Sequence, residues 1–428
     1  MKLLIKGGRV IDPASKMDAE SDVLVVDGKI EKISKTIKTK ADKTINAKGC
    51  FVMPGFIDLH VHLRDPGFEE KETVVTGAKA AARGGFTTIL AMPNTKPVVD
   101  NADVVNYVHQ KAKNLALVNV LQIGAVTKGQ KGKELSQIHE MVQAGIPAIS
   151  EDGNSVMNAD VYLRAMQKAR EEGIPVFAHC EDKNLAKGGV INAGKRAEEL
   201  GLPGILNEVE DVITARDIVL AHAADVRLHL CHCSTKGSVW MIQHAKEHHF
   251  KVTAEACPHH FILSDEDIPG DDANYKMNPP LRSKEDVLAI REALKSGVID
   301  VIATDHAPHT AIEKGRNMKR APFGIVGLET AAALTYTELV LKDYLTPMQM
   351  AEKLSYNPAK IAGLEKGTLE EGGAADIVIF DPNQNYEISV KEFAGKSKNT
   401  PFDKRKVTGK VVASIVAGDV VYREETGK

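Results

Sequence analysis

Two histidines in the segment GFIDLHVHLRDPG, residues 55–67, have the spacing of a metal site. The apolar residues around them predict a β-strand, and residues i and i+2 of a strand project to the same face. His60 and His62 can therefore approach one ion, and two imidazoles are a common part of a zinc ligand set. The spacing alone is equally typical of two packing histidines. Asp58 shares their face and either orients an imidazole or serves as a cap.

Four further residues of ligand type follow other predicted strands. His179 ends PVFAHC, His232 ends RLHLCHC, Asp305 ends DVIATD, and Asp152 lies just past PAISE. In (β/α)8 barrels the carboxyl ends of the strands meet at one mouth, where catalytic groups gather. These four residues together with His60 and His62 therefore predict one metal centre.

The remaining histidines and cysteines carry weaker patterns. His229 has the opposite strand parity to His232, which favours a core or supporting role. Strand alternation directs Cys231 and Cys233 away from the face of His232, so both are predicted to be structural thiols. Surface or packing positions are expected for four other histidines, His248, His249, His259 and His260.

The central part of the chain alternates short apolar runs with longer amphipathic stretches. Eight strand-then-helix units in order favour a closed parallel barrel over an open sheet. The predicted fold class is thus α/β, with a TIM-like (β/α)8 barrel over residues 53–365 and an extra helical insertion near 183–222. The predicted helices include Glu70–Arg83, Asn101–Leu115, Ala159–Glu172 and Gly237–His248.

Both ends of the chain have the character of β-structure. Residues 1–52 contain two β-rich runs, LLIKGGRVID and DVLVVDGKIEKIS. Asp27-Gly28 in the middle of the second run is a hairpin signal. Residues 366–428 contain similar runs. We expect the two ends to pair into one small discontinuous β-sandwich. The alternative is two unrelated β-appendages.

Composition excludes several classes of protein. The 428 residues carry 55 Lys and Arg against 58 Asp and Glu, so no basic surplus predicts nucleic-acid binding. No apolar run reaches the length of a membrane span, and the amino-terminal apolar run is too short for a secretory signal. We therefore expect a cytoplasmic protein, whose five cysteines are reduced thiols.

The string PGFIDLHVHLRDPG, taken with the strand-end histidines and ATDHAPH, resembles the amidohydrolase superfamily. More narrowly, the chain is similar to bacterial dihydroorotases that act as separate enzymes. This narrower resemblance rests on HLRDPG, MPNTKP, KMNPPLR, ATDHAPH and RAPFGIVGLET, and it covers nearly the whole chain.

The resemblance implies two zinc ions bridged by hydroxide. His60, His62 and Asp305 match the first site, and His179 and His232 match the second. Many relatives bridge the ions with a carboxylated lysine, whereas ISEDG has none here, so Asp152 is the expected bridge.

The reaction implied is the reversible, zinc-dependent cyclisation of N-carbamoyl-L-aspartate to L-dihydroorotate in de novo pyrimidine biosynthesis. The hydroxide would be the nucleophile, with Asp305 as general acid and base.

An anionic substrate requires positive charge and amide donors. Arg64 and Asn94 are expected to hold its carboxylate, and Asn278 to reach the ring. Alternatives are a salt bridge from Arg64 to Asp65 and turn roles for the two asparagines. The resemblance adds His309 and the backbone of Pro322, Phe323 and Gly324. The charged segment from His309 to Gly324 is a candidate lid.

Two rival functions remain open at this level. One is a hydantoinase or allantoinase with the same metal centre; Arg64, Asn94 and the missing bridge lysine disfavour it. The other is a non-catalytic scaffold that organises aspartate carbamoyltransferase, although all six expected ligands are present. A homodimer is a family expectation, and binding of the transferase by an active enzyme is possible.

Overall fold

The computed structural model describes residues 1–424. The amino-terminal part forms five strands: β1 (Lys2–Asp12), β2 (Met17–Val26), β3 (Lys29–Ser34), β4 (Lys43–Asn46) and β5 (Phe51–Pro54). β1 and β2 are antiparallel, and the predicted hairpin turn at Asp27-Gly28 joins β2 to β3. The other edge of β1 pairs in parallel first with β4 and then with β5.

The central part contains eleven strands: β6 (Phe56–Val61), β7 (Phe86–Ala91), β8 (Asn119–Gln122), β9 (Gly124–Ala125), β10 (Ile149–Ser150), β11 (Val176–Ala178), β12 (Ile191–Asn192), β13 (Gly204–Ile205), β14 (Leu228–Leu230), β15 (Val252–Ala256) and β16 (Val301–Ile302). β8 and β9 are successive parts of one barrel strand, while β12 and β13 pair with each other outside the barrel. Eight parallel barrel strands therefore follow one another in chain order.

Hydrogen bonds close these strands into a barrel. Ile123 bridges β8 and β9 by donating its backbone N–H to Ala91. At the other junction the His62 N–H donates to the His306 carbonyl at 2.8 Å, beside a parallel bridge from Val61 to His306. The first strand thus meets the segment after the last, and the predicted TIM barrel is confirmed.

Helices connect the barrel strands and cover them: α1 (Val74–Gly84), α2 (Ala102–Leu115), α3 (Ile138–Gln143), α4 (Ala159–Glu171), α5 (Lys183–Ala186), α6 (Lys195–Leu200), α7 (Glu208–Ala224), α8 (Lys236–Glu247), α9 (Pro258–Ile262), α10 (Lys284–Ser296), α11 (Ala311–Lys314), α12 (Ala331–Thr335), α13 (Pro347–Ala351) and α14 (Asn357–Ala362). The side chains of Asn101 and Asn158 cap α2 and α4 by accepting from the next free N–H groups. α1 begins later than predicted because Thr73, not a residue near Glu70, provides the capping box.

The predicted insertion near 183–222 is more varied than a set of helices. It contains α5, α6 and the short β12–β13 pair, whereas α7 packs against α4 and α8 in the outer ring of the barrel. Within residues 1–424, no helix has both the length and the apolarity needed to cross a membrane.

The chain ends with β17 (Ile377–Glu387), β18 (Lys406–Val416) and β19 (Asp419–Arg423). β17 pairs antiparallel with β5, with Ile377 opposite Pro54 and Phe380 opposite Phe51. Both ends therefore build one eight-stranded sheet, in the order β19-β18-β17-β5-β1-β2-β3 with β4 also on β1. The expected joining of the two ends is confirmed, and the alternative of unrelated appendages is wrong.

The sheet has a small core of its own, formed by side chains from both ends of the chain, including Leu3, Ile5, Val23, Ile377 and Ile415. The sheet and the segment before β17 also contact the barrel. The Ser414 hydroxyl donates to the Ala82 carbonyl at the end of α1, and Asn119 at the start of β8 donates to Asp376 at 3.2 Å. The sheet therefore braces the barrel near the starts of its strands.

Candidate metal centre and active site

The six predicted ligands meet at the carboxyl-terminal mouth of the barrel. His60 lies near the end of β6 and His62 directly follows it, while the other four residues follow β10, β11, β14 and β16. All six are buried, none more than 6% exposed. The structure thus brings together every residue that the strand-end pattern selected: His60, His62, Asp152, His179, His232 and Asp305.

Asp152 lies at the middle of this group. Its Oδ1 is 3.2 Å from His60 Nε2, 3.5 Å from His179 Nδ1 and 3.6 Å from His232 Nε2. Its Oδ2 is 3.4 Å from His62 Nε2. One carboxylate therefore faces all four imidazoles, which is the position that a bridging ligand would occupy.

Asp305 lies on the side of the first histidine pair. Its Oδ1 is 3.0 Å from His62 Nε2 and 3.6 Å from His60 Nε2. Opposite, His179 Nδ1 and His232 Nε2 are 2.9 Å apart. The six side chains thus divide into two groups that share Asp152.

Acceptors on the outer nitrogens fix the imidazole tautomers. His60 Nδ1 is 2.9 Å from Glu255, His62 Nδ1 is 2.9 Å from the Asn94 amide oxygen, and His179 Nε2 is 3.3 Å from Glu181. With the outer nitrogens protonated, the inner nitrogens direct lone pairs at the centre. Carboxylate or amide support of this kind is typical of metal-bound histidine.

Sequence reasoning missed Glu255 and Glu181. An acid in the interior of the apolar strand VTAEA was the available indication for Glu255, since a buried carboxylate needs a partner. Glu255 also accepts from His229 Nε2 at 3.0 Å, so of the core and supporting roles predicted for His229 the structure favours the supporting one. Glu181, two residues past His179, had no comparable pattern.

Asp58 serves as a cap. Its carboxylate accepts from the backbone N–H of His60 at 3.0 Å and from the Thr304 hydroxyl at 2.6 Å. Of its two predicted roles the structure supports the capping role, and Glu255 orients the His60 ring instead. Glu151 points away from the centre and accepts from the Thr127 backbone N–H at 3.0 Å.

These residues fit divalent metal ions. Within residues 1–424, the buried atoms His60 Nε2 and Asp152 Oδ1 have no hydrogen-bond partner, although each is a strong acceptor or ligand atom. Two triads have ligand atoms within 4.8 Å of one another: His60, His62 and Asp305, and His60, Asp152 and His232. Imidazole and carboxylate donors suit zinc and several other divalent ions.

The electrostatics of the centre keep its carboxylates charged. Burial raises the pKa of Asp305, but the adjacent His62 and His60 rings, when protonated, outweigh burial and bring the pKa below its usual range. Burial likewise opposes ionisation of Glu255, yet hydrogen bonds from His229 and His60 lower its pKa to about 2. Both carboxylates are therefore available as anionic partners near neutral pH.

Three site residues have left-handed backbone conformations: Arg64 at φ 61°, His232 at φ 34° and Asp305 at φ 47°. Such angles are uncommon for residues with a Cβ and turn the chain sharply. β14 ends at Leu230, so strand alternation does not govern His232. Cys231, expected to point away, lies inside the barrel beside His60 and Glu255.

A cavity of about 200 Å³ opens onto the centre. Besides five of the six predicted ligands, its lining includes Arg64, Asn94, Gly153, Asn278, Ala307, His309, Phe323 and Gly324. Arg64 is half-buried there, and burial lowers the pKa of its guanidinium to about 10, which leaves it charged at neutral pH. Pro322 lies one residue outside this lining.

Arg64 has no carboxylate partner within the described chain. Its Nε donates to the Pro308 carbonyl at 3.1 Å, and its Nη2 lies 3.2 Å from His309 Nε2. The alternative salt bridge to Asp65 is wrong, because Asp65 pairs with Lys111 at 2.7 Å. A guanidinium free of any acid beside a metal-type centre is suited to an anionic ligand.

The loop at the far wall of the cavity is held from behind. His309 Nε2 donates to the Phe323 carbonyl at 2.8 Å. The Lys314 ammonium donates to the carbonyls of Pro322 and Gly324, and the Asn399 amide donates to the Gly324 carbonyl at 3.0 Å. Sequence reasoning missed Lys314 and Asn399. The predicted lid is anchored through Lys314 in this structure, and its movement stays a prediction.

A larger cavity, about 810 Å³, lies at the opposite end of the barrel, around the starts of β11, β14 and β15. Two of its charged side chains, Asp225 and Arg227, already have partners. Asp225 pairs with Arg170 and Lys251, and Arg227 donates to two backbone carbonyls. The smaller cavity carries the groups that can do chemistry.

Comparisons with known proteins agree with this geometry. A family model described as dihydro-orotase-like matches residues 49–238. A dihydroorotase of Pelotomaculum thermopropionicum is 51% identical over 99% of both chains, and one of Bacillus cereus is 48% identical over 100% of this chain and 99% of the relative.

Solved structures show the same architecture. An L-hydantoinase (dihydropyrimidinase) from Arthrobacter aurescens superposes with a TM-score of 0.88 at 27% identity, covering 98% of this chain and 96% of its own. A dihydropyrimidinase from Brevibacillus agri gives 0.86 at 26% identity, covering 99% and 95%. With full-length identity near one half to dihydroorotases, the chain belongs to the dihydroorotase family of cyclic amide hydrolases.

Proposed function

We propose that this enzyme interconverts L-dihydroorotate and N-carbamoyl-L-aspartate, the ring closure of de novo pyrimidine synthesis. The choice of substrate rests on the position of Arg64. Its guanidinium lines the cavity next to the six-residue centre and has no carboxylate partner within residues 1–424. L-dihydroorotate carries a carboxylate that this group can bind, whereas the hydantoin ring itself carries none.

The six side chains would hold two zinc ions. His60, His62 and Asp305 would hold one, His179 and His232 the other, and Asp152 would join them. Two such ions lower the pKa of a water molecule and polarise an amide carbonyl. The identity of the metal and the count of two are parts of the proposal.

The residues of the chain then have distinct tasks. Arg64 and the Asn94 amide nitrogen bind the substrate carboxylate, while Asn278, His309 and the backbone near Phe323 and Gly324 orient the ring. In hydrolysis, Asp305 accepts the proton of the attacking water and delivers it to the ring nitrogen as the amide C–N bond breaks. In cyclisation the same proton moves in reverse and water is released.

The position of Asn94 links substrate binding to the centre. Its amide oxygen accepts from His62, so its amide nitrogen is turned toward Gly153 at the cavity wall. Substrate binding and orientation of one ligand would thus be performed by one side chain. The Pro322 carbonyl accepts from Lys314, so Pro322 would help to hold the loop that orients the ring.

Turnover of L-dihydroorotate by the zinc-loaded enzyme tests this proposal. Loss of ring absorbance is expected in the parent and a fall of at least about 1000-fold in kcat in Asp305→Ala, because the proton carrier is removed. Hydantoin and allantoin are the competing substrates. Preferred turnover of either one would replace dihydroorotate as the substrate, and a zinc-loaded enzyme inert toward all three would favour the scaffold role.

Assembly belongs to the same proposal. We propose a homodimer, and we keep aspartate carbamoyltransferase as a possible partner of the active enzyme. Sedimentation of the purified chain alone and mixed with the transferase checks both; a monomer would contradict the first and independent sedimentation the second.

A further inference from the structure

A second group of metal-binding side chains lies outside the six-residue centre. β15 ends at Ala256, and the next residues, Cys257, Pro258, His259 and His260, lead into α9. Cys257 is 0% exposed, His259 2% and His260 3%. Their ligand atoms all lie within 4.8 Å of one another.

The hydrogen bonding of His260 leaves one ring nitrogen with a free lone pair. Its Nε2 is 3.0 Å from the Pro279 carbonyl oxygen, which can only accept, so Nε2 carries the proton. Nδ1 is buried and finds no partner within residues 1–424. Protonation of Nδ1 would place a charge in the interior without an acceptor, so the neutral ring is favoured.

His259 also has a buried ring nitrogen, Nε2, without a partner, although no hydrogen bond selects its tautomer among the described residues. The two rings are in contact, with centroids 4.2 Å apart and planes at 62°. Two unsatisfied imidazole nitrogens beside a free buried thiol make a partial ligand set for a thiophilic divalent ion.

A second thiol-containing group of the molecule differs from this one in its hydrogen bonding. That group, His60, Cys231 and Glu255, also has ligand atoms within 4.8 Å. There, however, His60 Nδ1 and Glu255 satisfy each other at 2.9 Å. The Pro279 carbonyl instead supports the outer nitrogen of His260, as backbone carbonyls do for metal-bound histidines.

We propose that Cys257, His259 and His260 form an additional divalent-metal site, separate from the six-residue centre, for zinc or a similar thiophilic ion. Binding replaces the thiol proton of Cys257, which leaves to solvent, and both imidazoles bind as neutral donors. The ion would join the end of β15 to the start of α9.

Cobalt substitution tests the proposal, because none of the six residues of the main centre has sulfur. Chelator-treated full-length protein is titrated with Co²⁺, and the near-ultraviolet thiolate-to-cobalt charge-transfer band and the bound equivalents are recorded. The parent should show the band. Cys257→Ser should lose it together with one equivalent of cobalt, and Cys231→Ser should keep both.

Two outcomes would overturn the proposal: no thiolate band in the parent at saturating cobalt, or a band that Cys231→Ser abolishes and Cys257→Ser retains. Far-UV circular dichroism checks folding of each variant. If Cys257→Ser does not fold, His260→Gln keeps the thiol and should weaken cobalt binding in the band titration at least 10-fold; unchanged binding would count against the site. None of these readouts depends on turnover of dihydroorotate.

Discussion

Lys314 places an ammonium group among carbonyl oxygens. Its Nζ donates to Lys276 and Pro322 at 3.2 Å and to Gly324 at 2.8 Å, and the residue is 7% exposed. Burial and, to a smaller extent, the Lys276 charge lower its pKa to about 7, although Asp272 and Glu313 act in the opposite direction. The charge that holds the cavity loop is therefore lost near neutral pH.

We expect stability to depend on pH through this group. The folded protein releases the proton near pH 7, while the unfolded chain keeps it to about pH 10, so the free energy of unfolding rises with pH between these values. Relative to Lys314→Met, the parent should gain about 2 kcal/mol from pH 7 to pH 9. Denaturant midpoints at several pH values measure this. The exposed Lys319→Met is the control, and a difference that stays flat with pH would contradict the prediction.

Asn399, in the segment between β17 and β18, also holds the cavity loop in place. It is 5% exposed; its amide donates to the carbonyls of Ala307 and Gly324, and its oxygen accepts from the His309 N–H. Three backbone groups around the cavity thus depend on one side chain.

Asn399→Ala should lower stability by about 2–3 kcal/mol, since buried backbone groups lose their partners. It should also raise KM for L-dihydroorotate several-fold with a smaller change in kcat, because His309 and Gly324 shift. Denaturation and steady-state kinetics measure these effects, with the exposed Asn383→Ala as control. An unchanged KM would show that the loop keeps its position without Asn399.

At the scale of elements, the two loops that carry the residues proposed to bind the substrate carboxylate approach closely. The loop after β6 contains Arg64, and the loop after β7 contains Asn94. The Lys96 N–H donates to the Pro66 carbonyl at 3.0 Å. Gly67 has φ 96°, and a Cβ there would lie 2.0 Å from the Lys96 carbonyl oxygen. The absence of a side chain permits this approach.

Gly67→Ala should separate the two loops and raise KM for L-dihydroorotate at least about 10-fold, as misplaced binding groups lose charge-assisted hydrogen bonds. Gly132→Ala is a matched control: its φ is 66°, and a Cβ there meets nothing within 4 Å. Both variants bear the cost of a left-handed alanine, about 1–2 kcal/mol. Equal kinetics in the two would mean that the close approach does not position the substrate.

At the scale of the molecule, the proposed metal centre is built from strands on both sides of the barrel. Ligands come from the ends of β6, β10, β11, β14 and β16, so bound ions would act as cross-links between elements far apart in sequence. A ligand that binds only the folded state stabilises it by about 3–4 kcal/mol at 100 to 1000 times its Kd.

Removal of metal should therefore lower the melting temperature by roughly 5–10 °C, and zinc should restore it. Differential scanning calorimetry of the chelated and reconstituted protein measures both steps. Asp305→Asn should respond less to zinc because one ligand is weakened. Identical melting curves with and without chelator would contradict the prediction.

The pairing of β5 with β17 makes the sheet depend on both ends of the chain. Similar β-character at the two ends predicted this association, because each end alone leaves strand edges without partners. The exact division at residues 52, 53, 365 and 366 stays a prediction. The contacts of Ser414 and Asn399 show that the sheet-side segments also hold barrel elements.

The sequence by itself predicted that the six proposed ligands of the main centre lie together. Each ligand follows a short apolar strand, and parallel strands in a barrel direct their carboxyl ends to one mouth, so order along the chain predicts proximity. The HxH spacing predicted that His60 and His62 face the same side, because side chains along a strand alternate with a period of two.

Only the tertiary structure decided the supporting residues. Glu255, Lys314 and Asn399 act on partners 195, 10 and 75 residues away, such as His60 and Gly324, and no local period encodes such pairs. Strand alternation also failed for Cys231 because the chain leaves β14 and turns at His232. Periodicity predicts side-chain direction within an element, whereas contacts beyond its end depend on how the backbone turns.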